Sequence, residues 1–169
     1  MAAVLAVISP VALPIGPVPI SLCTLVIWLT VYILGWRRGT AAVLVYVLLG
    51  AAGMPVLAGF TGGVGRILGP TGGYILGYLP LAAISGLFVE RWWDSRPLQL
   101  VGMMLGNVVL YGFGTAWYCV QTETTLLGAL AVCVLPFLPG DLMKMAAALG
   151  TGPVIRRRLE AAGLCPGRS

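Results

Sequence analysis

Apolar residues run along this chain in long blocks, and the polar residues gather in the breaks between them. Proline, glycine and short charged clusters mark those breaks, so each block can be judged by its length and its flanks. Residues 1–13 form the first block, predicted as a first helix, and Pro14, Gly16, Pro17 and Pro19 stop it because proline fixes φ and lacks an amide donor. Residues 20–35 follow and run to Gly35-Trp36-Arg37-Arg38-Gly39; residues 40–52 then run to Gly53-Met54-Pro55. From Gly53 to Pro70 the chain is rich in glycine and carries Arg66 as its one charge, which predicts a loop or re-entrant element. Such backbone survives at membrane depth only where protein buries it or where it lines a cavity.

Residues 71–89 make the fourth predicted span, ending in the turn Glu90-Arg91-Trp92-Trp93-Asp94-Ser95-Arg96-Pro97, whose tryptophans suit an interface. Residues 98–118 make the fifth. After the polar stretch Gln121 to Thr125, residues 126–135 are too short to span and predict a short outer helix. Pro136, Pro139 and Gly140 are read as a break, with a sixth span from about Asp141 to Arg156. The expectation is one all-α membrane domain over residues 1–169 with six transmembrane helices and a Gly-rich outer loop.

Composition excludes the soluble alternative: 59% of residues are hydrophobic, 9% are charged and the mean hydropathy is +1.00. Soluble chains carry about 25% charged residues. The net charge of +5 does not point to nucleic acid, because the arginines sit as doublets and triplets at the ends of apolar runs. They report topology instead. With both termini in the cytoplasm, the inner side holds Arg37, Arg38, Arg91, Arg96, Arg156, Arg157, Arg158 and Arg168, eight of the ten basic residues, while Arg66 faces out. That places the Pro-rich first turn, the Gly-rich loop and the bend at Pro136 to Asp141 together at the outer end. Cys23, Cys119, Cys133 and Cys165 lack metal-ligand spacing and there is no histidine, so they read as plain thiols and no metal or other cofactor is implied.

The candidate chemistry lies in the last span. Asp141 and Lys144 are ionisable residues inside a membrane helix, which are costly and seldom lack a role. Their i,i+3 spacing puts them on one face, and Asp141 near the helix start suits the macrodipole. Pairing with a ligand and a purely structural ion pair both fit. Arg66, among glycines that allow close backbone approach, is a second candidate for an anionic ligand, or else an ordinary surface charge. Asn107, in the middle of the fifth span, can hydrogen-bond a polar ring or a neighbouring helix. Gly73 to Gly77 and Gly102 to Gly106 are small-xxx-small pairs that pack helices. Gly62-Gly63-Val64-Gly65 lacks the Lys-Ser/Thr of a phosphate loop, and no hydrolase elbow or carboxylate pair is present, so nucleotide binding and enzymatic chemistry are not supported.

The strings Pro17-Val18-Pro19-Ile20, Gly53-Met54-Pro55-Val56, Gly69-Pro70-Thr71-Gly72-Gly73-Tyr74, Asn107 to Tyr111, and Pro136-Phe137-Leu138-Pro139-Gly140-Asp141 with Lys144 closely resemble the BioY family. Those proteins are biotin-specific substrate-binding (S) components of energy-coupling factor transporters. The resemblance covers nearly the whole chain. It implies six helices, a biotin pocket near the outer face, and docking onto a transmembrane coupling subunit that carries two ABC-type ATPase subunits in the cytoplasmic membrane. It adds Tyr74 and Thr24 to the substrate-binding positions, and Ala2 and Ala6 as an AxxxA contact with the coupling subunit. Cys23 departs from the Gln usual before Thr24, and Arg66 stands where an apolar residue is common. On this reading the carboxylate of biotin pairs with Lys144, with Arg66 as a further partner, and Asp141 and Asn107 bind the ureido group. The competing readings are an S component for another carboxylated vitamin and a membrane scaffold without transport.

Overall fold

The computed structural model describes residues 1–13 and 20–163. Pro14, Gly16, Pro17, Val18, Pro19, Cys165 and Arg168 lie outside the described residues, so the turn and motif expected there are not observed. Among the described residues the fold is α-helical: α1 (Ala2–Ile8), α2 (Cys23–Ala51), α3 (Val64–Leu68), α4 (Gly72–Arg91), α5 (Arg96–Thr122), α6 (Leu126–Cys133) and α7 (Leu138–Ala161). A two-residue antiparallel pair, β1 (Ala12–Leu13) with β2 (Ile20–Ser21), joins α1 to α2. Three helices, α2, α4 and α5, are long and apolar enough to cross a membrane, and α6 with α7, bent by 50°, makes a fourth if counted as one broken span.

Several boundaries differ from the sequence expectation. The first helix stops at Ile8 instead of filling residues 1–13, since the chain turns at Ser9-Pro10 and enters the β pair. Its seven residues rise only roughly 10 Å. The last helix begins at Leu138 and ends at Ala161, wider than 141–156 at both ends. Pro139 does not break it, because in the first turn the missing amide would have had no intrahelical partner.

Residues 20–35 and 40–52, expected as separate spans, are two limbs of α2. Gly35, at φ 79° and ψ 176°, interrupts the helix in a backbone region open mainly to glycine. The limbs fold back on each other: Cys23 Sγ lies 3.9 Å from Tyr46 Oη, although 23 residues of straight helix would separate them by roughly 34 Å. The freed backbone groups at this turn are met by side chains, Trp36 N–H donating to Glu90 Oε2 at 2.9 Å and Arg156 Nη1 donating to Tyr32 O at 3.1 Å. Pro153 inside α7 likewise cannot donate to Leu149 O, and Arg96 Nη1 donates there instead. These contacts gather the turn of α2, the α4–α5 turn and the end of α7 at one end of the bundle.

Between α4 and α5 the two small-xxx-small pairs let the backbones approach. A Cβ at Gly73 would lie 2.3 Å from Trp117 Cβ, and one at Gly102 would lie 2.2 Å from Phe88 Cβ. Packing of this kind drives helix association where lipid removes the hydrophobic term.

Candidate functional site

Three helices, α2, α5 and α7, converge on Asp141. The carboxylate, 4% exposed, sits on the first turn of α7 and accepts from Thr24 Oγ1 at 3.2 Å and Lys144 Nζ at 3.0 Å on one oxygen. On the other it accepts from Asn107 Nδ2 at 3.3 Å and Tyr111 Oη at 2.5 Å. A buried carboxylate survives only with such a full set of donors. The i,i+3 spacing of Asp141 and Lys144 delivers the ion pair directly. Lys144 does not reach toward a bilayer surface; it also donates to Ser21 O at 2.7 Å, at the end of β2, and to Thr24 Oγ1 at 3.4 Å. Its three N–H groups are thereby engaged.

Asn107 is also 4% exposed, and its Oδ1 has no hydrogen-bond partner among the described residues. An acceptor left in this state is uncommon and costly in a native fold. Next to the cluster opens a chamber of about 390 Å³, lined by Ser21, Thr24, Tyr111, Phe137, Asp141 and Lys144 among others. A second chamber of about 400 Å³ is lined by Ser9, Cys23, Tyr46, Leu57 and Arg66 among others. Ser21, Tyr74 and Tyr78 line both, so the two are neighbours within one cavity.

The structure therefore brings Asp141, Lys144, Asn107 and Thr24 into one hydrogen-bonded cluster and sets Arg66 in the adjoining chamber. Among the described residues the Arg66 guanidinium makes no hydrogen bond or ion pair with protein, and the residue is partly exposed on α3. Tyr74 lines both chambers, and its hydroxyl meets Thr115 Oγ1 at 3.1 Å. Ala2 and Ala6 are both half-buried on α1, Ala6 against the core, and the most exposed positions of that helix include Val4 and Val7. Cys23, which stands where Gln is usual in the family, is buried and lines the second chamber.

Sequence reasoning gave no role to Tyr111, Ser21 or Tyr78. Tyr111 had a usable signal, since it lies four residues after Asn107 and so on the same face of α5. Ser21 acts through its backbone carbonyl, which no side-chain pattern announces. Toward the Arg-rich end the interior is closed by buried polar contacts, Trp28 Nε1 to Ser85 Oγ at 3.3 Å and Tyr32 Oη to Gln99 Oε1 at 2.8 Å.

Comparison with known proteins places this geometry. The sequence profile described as "BioY family" matches residues 1–161. The chain is 37% identical over 138 residues to the "Biotin transporter BioY" of Thermotoga maritima, covering 82% of this chain and 80% of that one. It is 39% identical over 158 residues to the "Biotin transporter BioY" of Rhodobacter capsulatus, covering 86% and 81%. Among solved structures it resembles the crystal structure of "the S-component for biotin from an ECF-type ABC transporter", with a TM-score of 0.85 and 29% identity over 92% of this chain and 86% of that one. With a cluster of buried polar groups inside an apolar helical bundle, and likeness over most of its length in both sequence and fold, the chain belongs to the BioY family.

Proposed function

We propose that this chain is the biotin-binding S component of an energy-coupling factor transporter, taking up biotin across the cytoplasmic membrane in company with a coupling subunit and two ATPases. The observation that carries the reading is the division of the cavity into two unlike ends. A ureido group offers two N–H donors and one carbonyl acceptor. At one end, Asp141 with its partners Lys144, Thr24 and Tyr111 makes a polar wall whose internal hydrogen bonds can be exchanged for those of a ureido group. At the other, the Arg66 guanidinium has no partner among the described residues and suits the carboxylate of the acid. The aromatic residues shared by the two chambers, Tyr74 and Tyr78, would border the apolar body of the ligand.

This reading gives the carboxylate to Arg66 in preference to Lys144. A carboxylate at Lys144 would have to displace Asp141, Ser21 O or Thr24. Six helical passes would require α1, the two limbs of α2, α4, α5 and the bent pair α6–α7 each to count as one, and α1, at roughly 10 Å, is shorter than a bilayer core. The gathering of Arg37, Arg38, Arg91, Arg96 and Arg156 to Arg158 at one end supports a cytoplasmic placement of that end. The Ala2–Ala6 face of α1 is the proposed contact with the coupling subunit.

The test compares biotin with its methyl ester by calorimetry on the purified protein. Wild type should bind the ester at least tenfold more weakly, and Arg66→Gln should lose that preference. Lys144→Met should lose affinity for both ligands, by leaving Asp141 short of its counter-charge, while keeping the preference for the acid. If the preference vanishes in Lys144→Met and persists in Arg66→Gln, the carboxylate end is assigned to the wrong cation. If another carboxylated vitamin binds and biotin does not, the substrate is wrong and the S-component reading stands.

A further inference from the structure

The segment between α2 and α4 has two faces, and only one of them belongs to the cavity. Leu57, Ala58 and Arg66 line the second chamber, and Leu57 is almost completely buried. Met54, Phe60, Val64 and Leu68 line neither chamber and are 47%, 67%, 58% and 59% exposed. Val64 and Leu68 are an i,i+4 pair on one side of α3, whereas Ile67 packs against the core. Between Arg38 and Glu90 the one charged side chain is Arg66, so no charge interrupts the exposed apolar side.

Phe60 sharpens the picture. Its φ of 57° lies in the left-handed region, where glycine or asparagine is at ease and a bulky aromatic is a true outlier. The segment is held to the body by its backbone, through Gly59 N–H to Pro10 O at 3.0 Å and Gly63 N–H to Gly50 O at 2.7 Å, and is closed on itself by the Leu57–Thr61 bridge. The Phe60 ring plays no part in that. A strained backbone that displays an aromatic ring outward, within an uncharged apolar patch, calls for an apolar phase on that side.

We infer that this face is a membrane anchor: Phe60, with Met54, Val64 and Leu68, dips into the phospholipid leaflet at its own end of the bundle. The lipid lies at the boundary of headgroup and acyl chain, where aromatic side chains and short apolar surfaces settle. The anchor thus seats α3 by one side while Arg66 faces the cavity from the other. It rests on the membrane-spanning reading and not on the identity of the ligand.

The test uses phosphatidylcholine nanodiscs. Nitroxide labels at Phe60→Cys and Val64→Cys, each in a chain lacking the four native cysteines, are compared with a label at Glu123→Cys in an exposed turn. Labels at 60 and 64 should collide more with oxygen than with a water-soluble nickel chelate, and the label at 123 should show the opposite. A second measurement leaves the native cysteines in place: Phe60→Trp in nanodiscs containing brominated phosphatidylcholine should show quenching in excess of the wild-type tryptophans. Nickel accessibility at 60 equal to that at 123 would overturn the anchor, as would shielding from both reagents, which would mean that protein or a second copy covers the patch. Absence of excess quenching would do the same. Biotin is absent from both measurements, so failure of the anchor leaves the proposed function standing, and failure of biotin binding leaves the anchor testable.

Discussion

At the scale of single residues, Asp141 is where cost and purpose meet. Its carboxylate holds four donors from three helices, and removing any one leaves a charge in low dielectric with less compensation. Tyr111→Phe deletes one of the two donors to Oδ2 and little else. A hydrogen bond to a charged group contributes about 1.5–3 kcal/mol, so biotin affinity should fall by roughly 10- to 150-fold in calorimetry, with the helical content unchanged. Unchanged affinity would show that Tyr111 is a bystander. The pair Asp141–Lys144 was legible in the sequence because opposite charges three apart in an apolar helix are too costly to keep unless they meet each other or a ligand. The engagement of Lys144 with Ser21 O was not, because backbone carbonyls carry no sequence signature. The unpaired acceptor on Asn107 was equally invisible, since it depends on which neighbours fall short of it.

At the scale of elements, breakers were read correctly where the chain must reverse and misread where a helix can absorb them. Gly35 ends one limb of α2 and starts the next, and a Cβ there would lie 2.9 Å from Glu90 Oε2. Gly35→Ala should therefore destabilise the fold by about 1–3 kcal/mol through backbone strain, seen as a lower midpoint in thermal unfolding in detergent. A midpoint at or above that of wild type would remove the strain argument. Pro139, by contrast, sits in the first turn of α7, where it costs nothing. Pro153 is tolerated because Arg96 serves the carbonyl it frees. The two should be coupled: Arg96→Ala ought to destabilise the native chain more than it destabilises Pro153→Ala, where the restored amide again reaches Leu149 O. Additive effects in that double-mutant cycle would mean that Arg96 is not the compensating donor.

At the scale of the whole molecule, the apolar blocks and the clustering of arginine foretold a membrane bundle with one basic end. The doubling back of α2 and the shortness of α1 are tertiary outcomes that block lengths alone do not decide. If the basic end is cytoplasmic, a membrane-impermeant maleimide added to whole cells should modify a cysteine placed at Glu123 and spare one placed at Arg37. The reverse pattern would invert the molecule and move the cavity to the inner face. The division of the cavity into a hydrogen-bonding end and a cationic end makes the central claim directly measurable, by titrating the purified protein with biotin, thiamine and riboflavin in a calorimeter. Saturable binding of biotin with one-to-one stoichiometry and no heat from the other two is the predicted result. Equal binding of all three, or no binding of biotin by folded protein, would contradict it.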